Sequence, residues 1–126
     1  MSSRSQQMLR NKGRMMTDSF VRIPHHVINH EHFRSLSPRA TKLLIDLLAQ
    51  YRGYNNGDLA ATLKMMRERG WNSSDQLNKA KNELVKSRVI IVTRQGGLNK
   101  CSLYAVTFFS IDECNGKLDV ASTITA

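Results

Sequence analysis

AATLKMMRERGWNSSDQLNKAKNELVKSRVIIVTR, residues 60–94, is the stretch that decides the fold. It reads as helix, tight turn, second helix and strand. In the turn Arg69-Gly70-Trp71-Asn72-Ser73, glycine can end one helix in the left-handed conformation and serine can cap the next. Ser73 followed by Gln76 three residues later fits a capping box. In the second helix Leu77, Ala80, Leu84 and Val85 fall at i, i+3, i+7 and i+8, the spacing of one buried stripe. The opposite face carries Ser74, Gln76, Asn78, Lys79, Asn82 and Lys86. Amide and ammonium groups of this kind hydrogen-bond base edges and phosphates in a DNA major groove. A short helix pair in this arrangement is the reading unit of helix-turn-helix proteins. The flanking residues decide between that unit and an ordinary amphipathic hairpin.

Downstream, Val89-Ile90-Ile91-Val92-Thr93 is a β-branched run and predicts a strand. Gln95-Gly96-Gly97-Leu98-Asn99 has the permissive backbone of a hairpin connection. Ser102–Ile111 predicts the return strand, with Leu103, Ala105, Thr107 and Phe109 alternating against Tyr104, Val106, Phe108 and Ser110. Helices followed by such a hairpin make a winged helix. Beyond Lys117 the residues are small and polar, and a loosely held tail is expected.

Upstream, Asp58 can cap a segment in which Leu59, Leu63 and Met66 share a face. The first helix of the pair then begins between Leu59 and Leu63, although Leu59–Thr62 also suits a short strand. Arg52–Asp58 is a turn cluster. Ser37 caps a helix whose first position is Pro38, where the missing N–H costs nothing. Ala40, Leu43, Leu44, Leu47 and Leu48 give that helix its core face, and it is expected to run to about Tyr51. His25–Leu36 offers Val27, Ile28 and Phe33 to a short helix or turn on the core. Ser19–Pro24 alternates and suits a strand end stopped by Pro24. Met1–Met16 holds Arg4, Arg10, Lys12 and Arg14 with no acidic residue and reads as a flexible basic arm, either a disordered leader or an arm that follows the DNA backbone or enters a minor groove. The expected architecture is thus α+β: a winged helix-turn-helix of three to four helices plus a C-terminal β-hairpin wing. It divides into an arm at 1–16, a domain at 17–118 and a flexible tail at 119–126.

Composition agrees with that architecture. A chain of 126 residues is one domain by size. Nineteen Lys plus Arg against ten Asp plus Glu give a net charge of +9, in the range expected of a nucleic-acid binder. The excess is concentrated: residues 64–100 hold nine basic and three acidic side chains. Two cysteines, Cys101 and Cys114, make neither a zinc quartet nor a disulfide framework. No apolar run is long enough to cross a bilayer, and a cytoplasmic protein is expected.

Four segments, RGYNNGDL (52–59), MRERGWNSSDQL (66–77), TRQGG (93–97) and LYAVTFFSIDEC (103–114), resemble the small winged helix-turn-helix proteins of phages, plasmids and integrated elements. That group is similar to the DNA-binding parts of replication initiators. The resemblance covers roughly residues 20–118 and implies a helix in the major groove with a wing beside it.

The expected DNA contacts are Ser73, Ser74, Gln76, Asn78, Lys79, Asn82 and Lys86 from the second helix, and Arg94, Gln95 and Lys100 from the wing. Trp71, the only tryptophan, is expected to anchor the helix crossing rather than to stack on bases. His26 and His30 have the i, i+4 spacing of helix-borne metal ligands within the cluster His25, His26, His30 and His32. No local Cys or carboxylate set completes a site, so no metal or other cofactor is expected. Gly96-Gly97 lies between strands and suits a wing better than a phosphate cradle, Cys101 and Cys114 have no local base in the sequence, and no enzyme activity is expected. The expected partner is double-stranded DNA, with a homodimer and a replication or transcription protein as further partners. The expected role is a transcriptional regulator of a mobile element. The alternatives are a replication initiation factor at an origin and a protein-interaction winged helix that binds an acidic partner.

Overall fold

The computed structural model describes residues 19–120. The basic arm expected at 1–16 and the end of the expected tail, 121–126, lie outside the described residues. Among these, the fold is α+β, with five α-helices and one three-stranded antiparallel sheet. The elements are α1 (His25–Ile28), α2 (Glu31–Arg34), α3 (Pro38–Leu48), β1 (Leu59–Ala60), α4 (Leu63–Met66), α5 (Ser74–Lys86), β2 (Ile90–Arg94) and β3 (Leu103–Val106). Short 3-10 turns occupy Arg67–Arg69 and Cys114–Gly116.

The centre is α3. The Ser37 hydroxyl accepts from the Ala40 amide at 3.1 Å, with Pro38 in the first turn. Ala40, Leu43, Leu44, Leu47 and Leu48 are all buried as their spacing predicts, each leucine contributing about 1.5–3 kcal/mol by leaving water. Against them lie Leu77, Ala80 and Leu84 of α5 and Val89, Ile90, Tyr104 and Val106 of the sheet region. A second tie joins α5 to the start of α3. The Glu83 carboxylate accepts from the Ser37 amide at 2.6 Å and from its hydroxyl at 2.7 Å, placing a negative charge where the dipole of α3 favours one. The Ser37 amide, followed by its hydroxyl and the Arg39 charge, holds this carboxyl below the usual range against the opposing effect of burial.

The sheet order is β1-β3-β2, with Leu59 opposite Tyr104 and Ile90 opposite Val106. Of the two readings open for Leu59–Thr62, the strand is realised at Leu59–Ala60. Its outer edge is covered by a side chain: Gln50 donates to the Ala60 carbonyl at 2.6 Å and accepts its amide at 2.9 Å. An edge satisfied in this way offers little to another strand.

Several expectations need correction. Residues 19–24 form no strand; Phe20 is exposed and Pro24 instead precedes α1 as its N-cap. The helix from Pro38 ends at Leu48, after which the Gln50 and Tyr51 amides donate three residues back, to Leu47 and Leu48, in a tighter last turn. Thr62, not Asp58, caps α4 by accepting from the Met65 amide, while the Asp58 carboxylate accepts from Lys117 Nζ at 3.0 Å. Val85 is exposed, so the buried stripe of α5 is Leu77, Ala80 and Leu84 alone. The return strand stops at Val106 instead of reaching Ile111. Asn56, fully buried, is the cause. Its side-chain amide donates to the carbonyls of Val106 at 3.0 Å, Phe109 at 3.2 Å and Ser110 at 2.9 Å, and its oxygen accepts the Val106 amide at 2.9 Å. These bonds curl the chain away from the sheet. Further on, the Asp119 amide donates to the Thr93 carbonyl at 2.7 Å, so the chain is still tied to β2 at that residue.

Candidate nucleic-acid interface

The presentation of α5 depends on the turn before it. Gly70 has φ 94 and closes the 3-10 turn Arg67–Arg69 in the left-handed conformation, where a Cβ would be strained. Trp71 then enters the core, 6% exposed, as an anchor of the helix crossing. Its indole Nε1 donates to Asp46 Oδ2 at 2.7 Å. Asp46, buried on α3, also accepts from Arg69 Nε at 2.7 Å and Lys42 Nζ at 2.8 Å. Burial alone would raise this carboxyl, but the bonds from Lys42, Arg69 and Trp71, together with the Lys42 charge, outweigh it and hold the pKa below the usual aspartate value. Lys42 also sits over the Trp71 ring, 5.5 Å from its centre. One carboxylate thus joins the central helix to both sides of Gly70.

From that turn α5 runs for 13 residues, with Ser73 as its N-cap accepting from the Gln76 amide at 3.2 Å. Beyond the core face it presents two polar faces. One meets the start of α3, where Gln76 accepts from Arg39 and Glu83 holds Ser37. The other, Asn78, Lys81, Asn82, Val85 and Lys86, follows the spacing i, i+3, i+4, i+7, i+8 and forms one wall of an open groove of about 600 Å³. The other wall is the β2–β3 hairpin, through Val92, Gln95, Ser102 and Tyr104.

The structure therefore sorts the ten expected contact residues. Asn78, Asn82, Lys86 and Gln95 line the groove together. Ser74 is exposed at the first turn of α5 and Lys100 is exposed on the hairpin. Ser73 spends its hydroxyl on the cap and Gln76 its oxygen on Arg39. Lys79 pairs with Asp75 one turn away at 3.1 Å and lies outside the groove lining. Arg94 is turned inward, donating from Nη2 to the Cys101 carbonyl at 2.9 Å, where it staples the hairpin across its bulge.

Sequence reading omitted Lys81 from the contact set. Its side chain is partly covered, and burial pushes its ammonium below the ordinary lysine range, with Cys101 acting weakly in the other direction. Among the described residues no carboxylate is bonded to it, so it is a partly dehydrated cation facing an open groove. Counting i+3 and i+4 forward from Asn78 would have found it. The hairpin ends in a tight turn: Gly97 and Lys100 exchange backbone hydrogen bonds at 3.1 Å, Asn99 takes φ 62, and Leu98 is 91% exposed at the tip. Among the described residues no helix is long and apolar enough to cross a membrane. No protein-family model, curated protein or solved structure matches the chain.

Proposed function

We propose that this chain is a winged helix-turn-helix protein that binds double-stranded DNA. In this reading α5 enters the major groove, the β2–β3 hairpin is the wing on the adjacent backbone or minor groove, and the protein regulates transcription of a mobile element by binding rather than by catalysis. The observation that carries the reading is the lining of the groove between α5 and the hairpin: two lysines and three side-chain amides, Lys81, Lys86, Asn78, Asn82 and Gln95, with no carboxylate among the lining residues. Ammonium groups suit phosphates, amides suit adenine edges, and the exposed Val85 between them suits a thymine methyl.

The test is a gel shift on genomic fragments with Asn82→Ala plus Lys86→Ala, both exposed positions whose loss leaves the core intact. Affinity should fall tenfold or more, while Lys79→Ala, already paired with Asp75, should cost less. Unchanged binding by the double variant would overturn the assignment of this face. Recovery of origin fragments in place of promoter fragments would replace regulation by a role in replication.

A further inference from the structure

A cavity of about 190 Å³ opens where α1 and α2 meet the link between α5 and β2. Phe33, Val89 and Phe108 give it apolar walls, while His26, His30, His32 and Arg88 supply its polar lining, and no carboxylate lies among the lining residues. The His30 Nδ1 accepts from the His32 amide at 3.0 Å, so the neutral ring carries its hydrogen on Nε2 and keeps a donor there. No three His, Cys, Asp or Glu side chains among the described residues are placed to hold a metal.

Arg88 is the unusual member. It ends α5 in the left-handed conformation, φ 61, its amide donating to Val85 at 3.0 Å and the Val89 amide donating to Leu84 at 3.1 Å. This is the helix-ending motif in which glycine is the residue of least strain. Arg88 is exposed at the cavity mouth, and among the described residues its guanidinium has no hydrogen-bond or ion-pair partner, so its donors are free to meet an acid group in the cavity.

We propose that this cavity binds a small aromatic carboxylate, with the ring against Phe33 and Phe108 and the carboxylate on the Arg88 guanidinium and a histidine N–H. A cavity of about 150 Å³ accepts benzene, so the space suits one ring with one acid group. Arg offers carboxylates a planar, paired set of donors. The site does not depend on the DNA-binding reading.

The test titrates the isotopically labelled full chain with benzoate, with neutral benzamide and with inorganic phosphate, following backbone amide resonances. Benzoate should saturably shift Arg88, Val89 and Thr107 and bind more tightly than either control. Arg88→Gly, which removes the guanidinium and restores the favoured residue, should weaken benzoate tenfold or more with a melting temperature no lower than wild type. Arg88→Met, which keeps the stem, should lose benzoate to the same extent. The proposal is overturned if benzoate does not saturate these resonances, if benzamide or phosphate binds as tightly, or if either variant binds benzoate like wild type.

Discussion

Replacing Asp46 by Asn tests whether a single carboxylate holds the turn that presents α5. The substitution keeps the shape but removes the charge and sets an NH2 group against one of three donors. Two of those donors, Lys42 and Arg69, have half-exposed side chains (51% and 46%), and exposed ion pairs of this kind contribute only about 0–1 kcal/mol each. The buried indole bond at 2.7 Å is worth more, about 1.5–3 kcal/mol for a bond to a charged group. Asp46→Asn should therefore cost about 2–3 kcal/mol at pH 7 and lower the melting temperature by about 10 °C or more. Urea unfolding followed by the fluorescence of Trp71 measures it. Because the folded pKa of Asp46 is depressed, its contribution is complete above the reference value of 3.8 and disappears as the pH falls through the folded value. The gap between wild type and variant should thus close in acid. A loss below about 0.5 kcal/mol at pH 7, or the same gap at about pH 2.5, would refute the reasoning.

Asn56→Ala should cost about 3 kcal/mol or more, because it strands the buried Val106 amide and several carbonyls; denaturant titration showing under about 1 kcal/mol would place the curl after β3 elsewhere. Lys81→Gln should weaken DNA binding yet leave thermal stability equal or raised. The folded pKa of Lys81 is lowered, so the charged form is disfavoured in the fold, a cost that holds below the folded pKa and fades as the pH rises through it. Melting curves at neutral and alkaline pH check the sign, since the advantage of the variant should shrink at high pH.

Local signals in the sequence carried the positions where backbone geometry is decided by neighbours in the chain. Ser37 before Pro38, Gly70 in the turn and Ser73 before α5 each occupy the predicted position, and the spacing of Ala40, Leu43, Leu44, Leu47 and Leu48 named the core face. Long-range polar contacts left no such trace. Asp46 carries no signal of its own in the sequence, and its burial follows only once Arg69 and Trp71 arrive from another part of the chain. Asn56 looked like one more turn residue, although its partners lie at Val106 to Ser110. The same limit governed the candidate interface. Residue type suggested Gln76, Lys79 and Arg94; it does not show that Gln76 accepts from Arg39, that Lys79 pairs with Asp75 or that Arg94 donates to the Cys101 carbonyl. The helical period, applied from Asn78, leads instead to Lys81 and Val85.

The most direct measurement of the central claim is the affinity of the full chain for duplex DNA over about 50–200 mM salt. If Lys81, Lys86 and Lys100 each neutralise a phosphate, log K should fall against log salt with a slope of about −3 or steeper, and Lys81→Gln should remove about one unit. A slope near zero, or no duplex binding at the low end of that range, would contradict the account.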